Sequence, residues 1–122
     1  MHPTTVAAMT IALAAAAVPA AAKEAKCLLE YQGKTYINET CEFKPYGNEG
    51  SFSIRTLEEK PYETGEMIAK FAAIVDIYNG QATGSWSGEP YAYHVHDQLG
   101  ELQRSSTDRA CWVNDVARVC AW

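Results

Sequence analysis

The sequence predicts an all-β domain: a small antiparallel meander, sandwich or barrel held by two disulfides, with room for one short helical turn. Three observations carry this. Short runs rich in β-branched and aromatic residues recur along the chain, and such side chains suit a pleated, half-buried surface. Turn chemistry separates the runs at intervals of roughly 8–12 residues, the rhythm of sandwiches and barrels. Four cysteines follow an apolar leader, which is the usage of an oxidising compartment.

The leader comes first. The opening 22 residues contain no Asp, Glu, Lys or Arg. Val6 to Val18 is apolar and alanine-rich, broken only by Thr10, and Pro19 then precedes Ala20-Ala21-Ala22, a small-residue site of the kind signal peptidase cleaves. The stretch is too short for a hydrocarbon core that needs roughly 20 helical residues. The reading is therefore a cleaved signal peptide over residues 1–22 and a single exported β domain over residues 23–122, periplasmic or secreted, with no membrane span. All 15 acidic and 10 basic residues fall in that domain, giving a formal charge of −5. A net acidic chain without a basic stripe is unsuited to nucleic acid, where phosphates must be neutralised, and to anionic membrane surfaces. The glycine fingerprints of dinucleotide and phosphate loops are missing.

The cysteines lie in C-x13-C and C-x8-C pairs, without the C-x-x-C knuckle of a zinc site. In Cys111-Trp-Val-Asn-Asp-Val-Ala-Arg-Val-Cys120, a turn around Asn114–Ala117 sets Cys111 directly opposite Cys120, at a separation that suits a disulfide. Cys27–Cys41 follows by elimination, although a tight turn at Gln32-Gly33 would put Cys27 opposite Asn38. The rival arrangement joins Cys27 to Cys120 and Cys41 to Cys111.

Strands are expected over Cys27–Tyr31 and Lys34–Asn38, a hairpin around Gln32-Gly33. Pro45 to Gly50 is turn chemistry. Ser51–Leu57 alternates, with Phe52, Ile54 and Thr56 on one face. Glu58–Glu66 reads as a polar loop containing Pro61 and Gly65. Met67–Tyr78 carries both helical and period-two spacing; Asn79-Gly80, the strongest short hairpin signal, tips it to strand, leaving a helical turn near Glu66–Lys70. Gln81–Trp86 is the partner strand. Ser87-Gly88-Glu89-Pro90 is a loop, Tyr91–His96 and Leu99–Arg104 are further strands, and Ser105–Arg109 turns into the terminal hairpin.

Candidate functional residues gather late in the chain. On a strand, His94 and His96 of Tyr91-Ala92-Tyr93-His94-Val95-His96-Asp97 project to one face, as two imidazole ligands of Zn or Cu require, with Asp97 as orienter or third ligand. The same pair on a solvated strand face needs no metal, and the principal expectation is a domain without a cofactor. Ser105, Ser106 and Asp108 form a turn with no nucleophile elbow, so no catalytic constellation is visible. The tyrosines and tryptophans exceed what a small core needs, although a thin disulfide-stapled core accounts for at least half of them. Such side chains favour protein contact sites. The leading expectation is a non-enzymatic binding protein with a protein partner, with Tyr91 and Tyr93 among its contact aromatics.

Two resemblances bear on this. Ser87-Gly88-Glu89-Pro90-Tyr91 is similar to the S-G-x-x-Y loop of the periplasmic and membrane-bound C-type lysozyme inhibitors of Gram-negative bacteria. These are small exported β-barrels whose loop enters the lysozyme cleft. The resemblance implies that Ser87 and Tyr91 are contact residues, with the serine hydroxyl reaching catalytic carboxylates, and a −5 chain suits a basic partner of that kind. The opening Cys27-Leu-Leu-Glu-Tyr-Gln-Gly-Lys-Thr-Tyr-Ile and the closing Ala110-Cys-Trp-Val-Asn and Val119-Cys-Ala-Trp resemble small exported bacterial proteins of unknown function, which implies a fold and a compartment but no activity.

Overall fold

A computed structural model describes residues 22–122; the expected signal segment, residues 1–22, lies outside the described residues but for Ala22. The chain forms β1 (Lys23–Tyr31), β2 (Lys34–Tyr46), β3 (Ser51–Thr56), β4 (Glu59–Pro61), β5 (Met67–Ala69), β6 (Ala72–Tyr78), β7 (Gln81–Trp86), β8 (Asp97–Arg104), β9 (Cys111–Val113) and β10 (Ala117–Ala121). Eight strands close an antiparallel barrel in the order β1-β10-β9-β8-β7-β6-β3-β2, while β4 and β5 form a separate two-stranded ribbon. Of the three architectures open to the sequence, the barrel is the one adopted. Closure leaves no long unpaired sheet edge.

Two hairpins follow directly from local chemistry. Tyr31 pairs with Lys34 around Gln32 (φ 51°) and Gly33 (φ 77°), and Tyr78 with Gln81 around Asn79 (φ 50°) and Gly80 (φ 75°). Both central residues carry positive φ, the two-residue turn that matches strand twist and that favours Asn-Gly. The Glu49 carboxylate accepts from the Asn79 and Gly80 N–H groups, each at 3.2 Å.

Two bulges reset the faces that a strict period of two would assign. The first lies in β2, where the pairs shift from Glu30–Thr35 to Leu29–Ile37 and leave Tyr36 as the extra residue. Without it Cys27 would face Asn38 and Cys41 would point to the opposite side of the sheet. With it Cys27 pairs with Glu39, Cys41 becomes its diagonal neighbour on the same face, and the two are bonded with Cα atoms 5.8 Å apart. The second bulge, between Gly84 and Ser85 on one strand and Gly100 and Gln98 on the other, turns both Leu99 and Leu102 inward.

The interior is filled. Leu29, Ile37, Ile54, Val75 and Val119 are wholly buried, with Phe52, Trp86, Leu99 and Leu102 around them. Phe52, Ile54 and Thr56 share the buried face of β3 as the alternation predicts. Cys27–Cys41 lies within this core. Cys111–Cys120 is equally buried but apart from it; the two residues pair directly across the terminal hairpin, and Trp112 faces Val119. The rival connectivity is excluded.

Three expectations are corrected. The polar loop Glu58–Glu66 and the helical turn near Glu66–Lys70 are replaced by the β4–β5 ribbon, in which Glu59 pairs with Ala69 and Pro61 with Met67. Met67–Tyr78 is two strands, not one, because the chain breaks at Lys70-Phe71, where the Thr56 N–H donates to Phe71 O and the Phe71 N–H to Thr56 Oγ1. Tyr91–His96 is not a strand: it completes a loop running from Ser87 to His96, and β8 starts at Asp97. Period-two spacing there had no ladder partner to enforce it, since β7 is already paired with β6 and β8.

Candidate functional site

Successive antiparallel strands place alternate connections at opposite ends of a barrel. One end therefore collects the Gln32-Gly33 turn, the segment carrying the β4–β5 ribbon, the Ser87–His96 loop and the turn at Asn114–Val116. Hydrogen bonds link its parts: Gln32 N–H to Val116 O at 2.7 Å, and Tyr91 N–H to Lys70 O at 2.9 Å. Beneath them the barrel is plugged by aromatic rings. Tyr36 lies tilted against Trp86 at 4.3 Å and meets Phe71 edge-on at 5.4 Å, while Tyr31 lies 5.8 Å from Trp86.

The loop is pinned at both ends and in the middle. At its start Ser87 is buried, and its hydroxyl accepts from the Ala72 N–H at 2.9 Å and donates to Ala72 O at 3.2 Å. The hydroxyl faces inward, unlike the cleft-reaching serine that the family resemblance implies. Gly88 (φ 78°) lies so close to the far end of the loop that a Cβ there would fall onto the Asp97 carboxylate. In the middle Tyr91 holds a left-handed backbone (φ 57°), rare for a bulky residue and found where surroundings enforce it. Its hydroxyl donates to Glu58 Oε1 at 3.0 Å, and Lys60 Nζ stands 4.3 Å from its ring centre.

Tyr93 reaches the other side of the ribbon. Its hydroxyl donates to Glu66 Oε2 at 3.2 Å, and its ring lies 4.6 Å from that of Tyr62. His94 meets Tyr93 edge-on at 4.8 Å, and His96 follows 5.2 Å from His94. Tyr62, Tyr93, His94 and His96 thus form a continuous row across the loop and ribbon. The Glu66 charge, and after it the hydrogen bond to Glu66, raise the Tyr93 phenol above its ordinary value. Desolvation, then the hydrogen bond and charge of Glu58, raise Tyr91 likewise.

The binding residues expected from sequence are brought together, in unequal roles: Ser87 and Gly88 shape the loop, Tyr91 is its central anchor, and Tyr93 is exposed. His94 and His96 stay adjacent although no strand aligns them, and Asp97 opens β8. An open cavity of about 380 Å³ is lined by Glu89, Tyr93, His94, His96 and Asp97 among others. Among the described residues no group of three or more His, Cys, Asp or Glu side chains is already gathered for a metal ion. Sequence reasoning counted Tyr62 only among the surplus aromatics and missed Glu58, Lys60 and Glu66; all four lie roughly 30 residues before their partners and carry no local signal of the docking.

Fold and site together define a small, disulfide-stapled, antiparallel β-barrel with a docked loop and ribbon over one plugged end. The chain matches no family model, no curated protein and no solved structure. Among the described residues no helix is long and apolar enough to cross a membrane.

Proposed function

We propose that this protein is an exported, non-enzymatic binding barrel, periplasmic or secreted, that blocks a basic cell-wall hydrolase such as lysozyme with the loop-and-ribbon face. One observation carries the reading. The Tyr62–Tyr93 pair is 41% and 44% exposed and is bordered by the carboxylates of Glu66, which accepts from the Tyr93 hydroxyl, and Glu89, which lines the same cavity as Tyr93. Tyrosine supplies large contact area at low rotamer cost, and an acidic rim steers a basic partner toward it. Two buried disulfides fit an oxidising compartment.

The contact set follows the geometry. Tyr93, Tyr62 and Glu89 face outward and meet the partner, while Ser87 and Gly88 hold the loop in shape. Purified protein is therefore expected to slow a C-type lysozyme on cell-wall substrate, less so at high salt, where rim charges are screened. Tyr93→Ala weakens the inhibition about tenfold, the loss of roughly 1.4 kcal/mol of a contact-site aromatic. Full lysozyme activity at micromolar excess of the protein ends this reading.

A further inference from the structure

We propose that His94 and His96 are the protein half of an open zinc site on the exposed side of the loop. The two rings have centroids 5.2 Å apart. With a Zn–N distance of about 2.0–2.1 Å and ~1.1 Å from ring nitrogen to ring centre, each centroid of a bound pair stands about 3.1 Å from the ion. Two such rings at a tetrahedral angle are then about 5.1 Å apart, the separation present here. The ring centres thus already stand at the separation that one tetrahedral ion requires.

The remaining coordination positions are open: among the described residues no carboxylate is gathered with the two rings into a three-ligand group. Glu89 and Asp97 line the same cavity of about 380 Å³. With waters in the remaining positions, or one of these carboxylates swung in to bind, the ion would be four-coordinate, as in open rather than structural zinc sites. Borderline imidazole donors with a hard oxygen also suit Cu(II), which prefers a flatter, tetragonal arrangement; two cis ligands there would bring the centroids to about 4.4 Å at the same metal–nitrogen distance. The present spacing accommodates Zn(II) without the rings moving closer. Because both histidines are exposed, the ion adds to a formed loop and is not required for folding.

Zinc chloride titrated calorimetrically into the untagged protein at neutral pH is expected to show one equivalent bound at micromolar affinity. His94→Ala and His96→Ala should each weaken it at least tenfold, with thermal melting of the metal-free variants unchanged. In amide-resolved NMR of the wild type, zinc-dependent shifts should centre on residues 93–97. Absence of saturable binding, binding retained in the double variant, tighter binding of Cu(II) with tetragonal spectra and no zinc site, or shifts centred on the Glu58–Glu66 ribbon would each overturn the proposal. The readout is metal binding alone, so it stands or falls separately from lysozyme inhibition.

Discussion

Asn114 is the residue whose loss should be felt most for its size. The barrel is thinnest where β8 meets β9, with only Gln103–Val113 and Arg104–Trp112 in register. Above that short ladder the side chain of Asn114 takes over. Its Nδ2 donates to Leu99 O at 2.8 Å and to Glu101 O at 2.9 Å, and its Oδ1 accepts from the N–H groups of Val116 at 2.9 Å and Ala117 at 2.7 Å. All four hydrogen-bonding positions of the amide are used. A typical hydrogen bond contributes about 0.5–1.5 kcal/mol, and two of these four are solvent-exposed, so Asn114→Ala should cost about 2–4 kcal/mol. In a domain of this size that lowers Tm by roughly 10–20 °C. Asn114→Asp is the sharper probe: it keeps the two acceptor bonds of the turn but sets an anionic oxygen against two carbonyls, and it should destabilise at least as much as alanine. Urea unfolding with a fixed m-value measures both, and Asp115→Ala, exposed and one position along, serves as the reference. If Asn114→Asp unfolds at the wild-type urea concentration, the side chain does not bridge the seam and the reasoning fails.

Three further outcomes follow from the same geometry. At Gly84 a Cβ would stand 2.7 Å from Leu102 Cδ1 and 3.0 Å from Leu99 Cβ, so Gly84→Ala overpacks the core and should cost about 1–3 kcal/mol by denaturant titration. Non-reducing peptide mapping should recover Cys27–Cys41 and Cys111–Cys120; in the entropic treatment, replacing either pair by serine removes about 2.6–3 kcal/mol of stability, and a mixed connectivity would contradict the β2 bulge. Three of the seven tyrosines, Tyr46, Tyr91 and Tyr93, hold their phenol protons above the ordinary range, Tyr46 through desolvation and then the Asp76 charge. Their folded values exceed the unfolded value of about 10, so the stability they contribute is complete below that pH and is lost as pH rises through the folded values. Ultraviolet titration should show this late component, and Glu66→Gln should shift Tyr93 downward while leaving Tyr91 in place; an unchanged curve removes Glu66 as the cause.

Where local chemistry decides a structure, residue types alone predicted it well. Asn79-Gly80 demands positive φ at both positions and produced its hairpin, and the numbering of Cys111 and Cys120 about one turn located their bond. What stayed hidden depended on distant partners. The β2 bulge at Tyr36 has no turn residue to announce it; the ring leaves the regular ladder and lies over Trp86, 50 positions away. The ribbon was concealed by Pro61 and Gly65, because β4 and β5 are too short for alternation to register. Tyr91–His96 failed as a strand for the converse reason: its alternation is real, but no free edge was left to receive it. The site shared this limit. Its loop was legible, whereas the surface that holds the loop came from residues 58–66.

How the loop is held determines what binding through it would cost. Ser87 fixes its start on Ala72, Tyr91 fixes its middle on Lys70, and Asp97, paired with Trp86 and lying against Gly88, fixes its end. Between these points run two short exposed spans, Glu89-Pro90 and Ala92 to His96. Ordering a free backbone residue costs about 1–2 kcal/mol, so a loop of this length left loose would spend much of any contact energy on its own immobilisation. The exposed latches to Glu58 and Glu66 are individually weak, as solvent-screened contacts are. The rigidity therefore resides in the buried anchors. Ser87→Ala removes the acceptor for a part-buried Ala72 N–H and should cost about 1–2 kcal/mol locally without unfolding the barrel. It would weaken partner binding through a faster off-rate while Tyr93 remains unaltered. A Ser87→Ala variant that loses affinity with unchanged loop protection in hydrogen exchange would instead make the hydroxyl a direct contact, and the loop would have to turn over to present it.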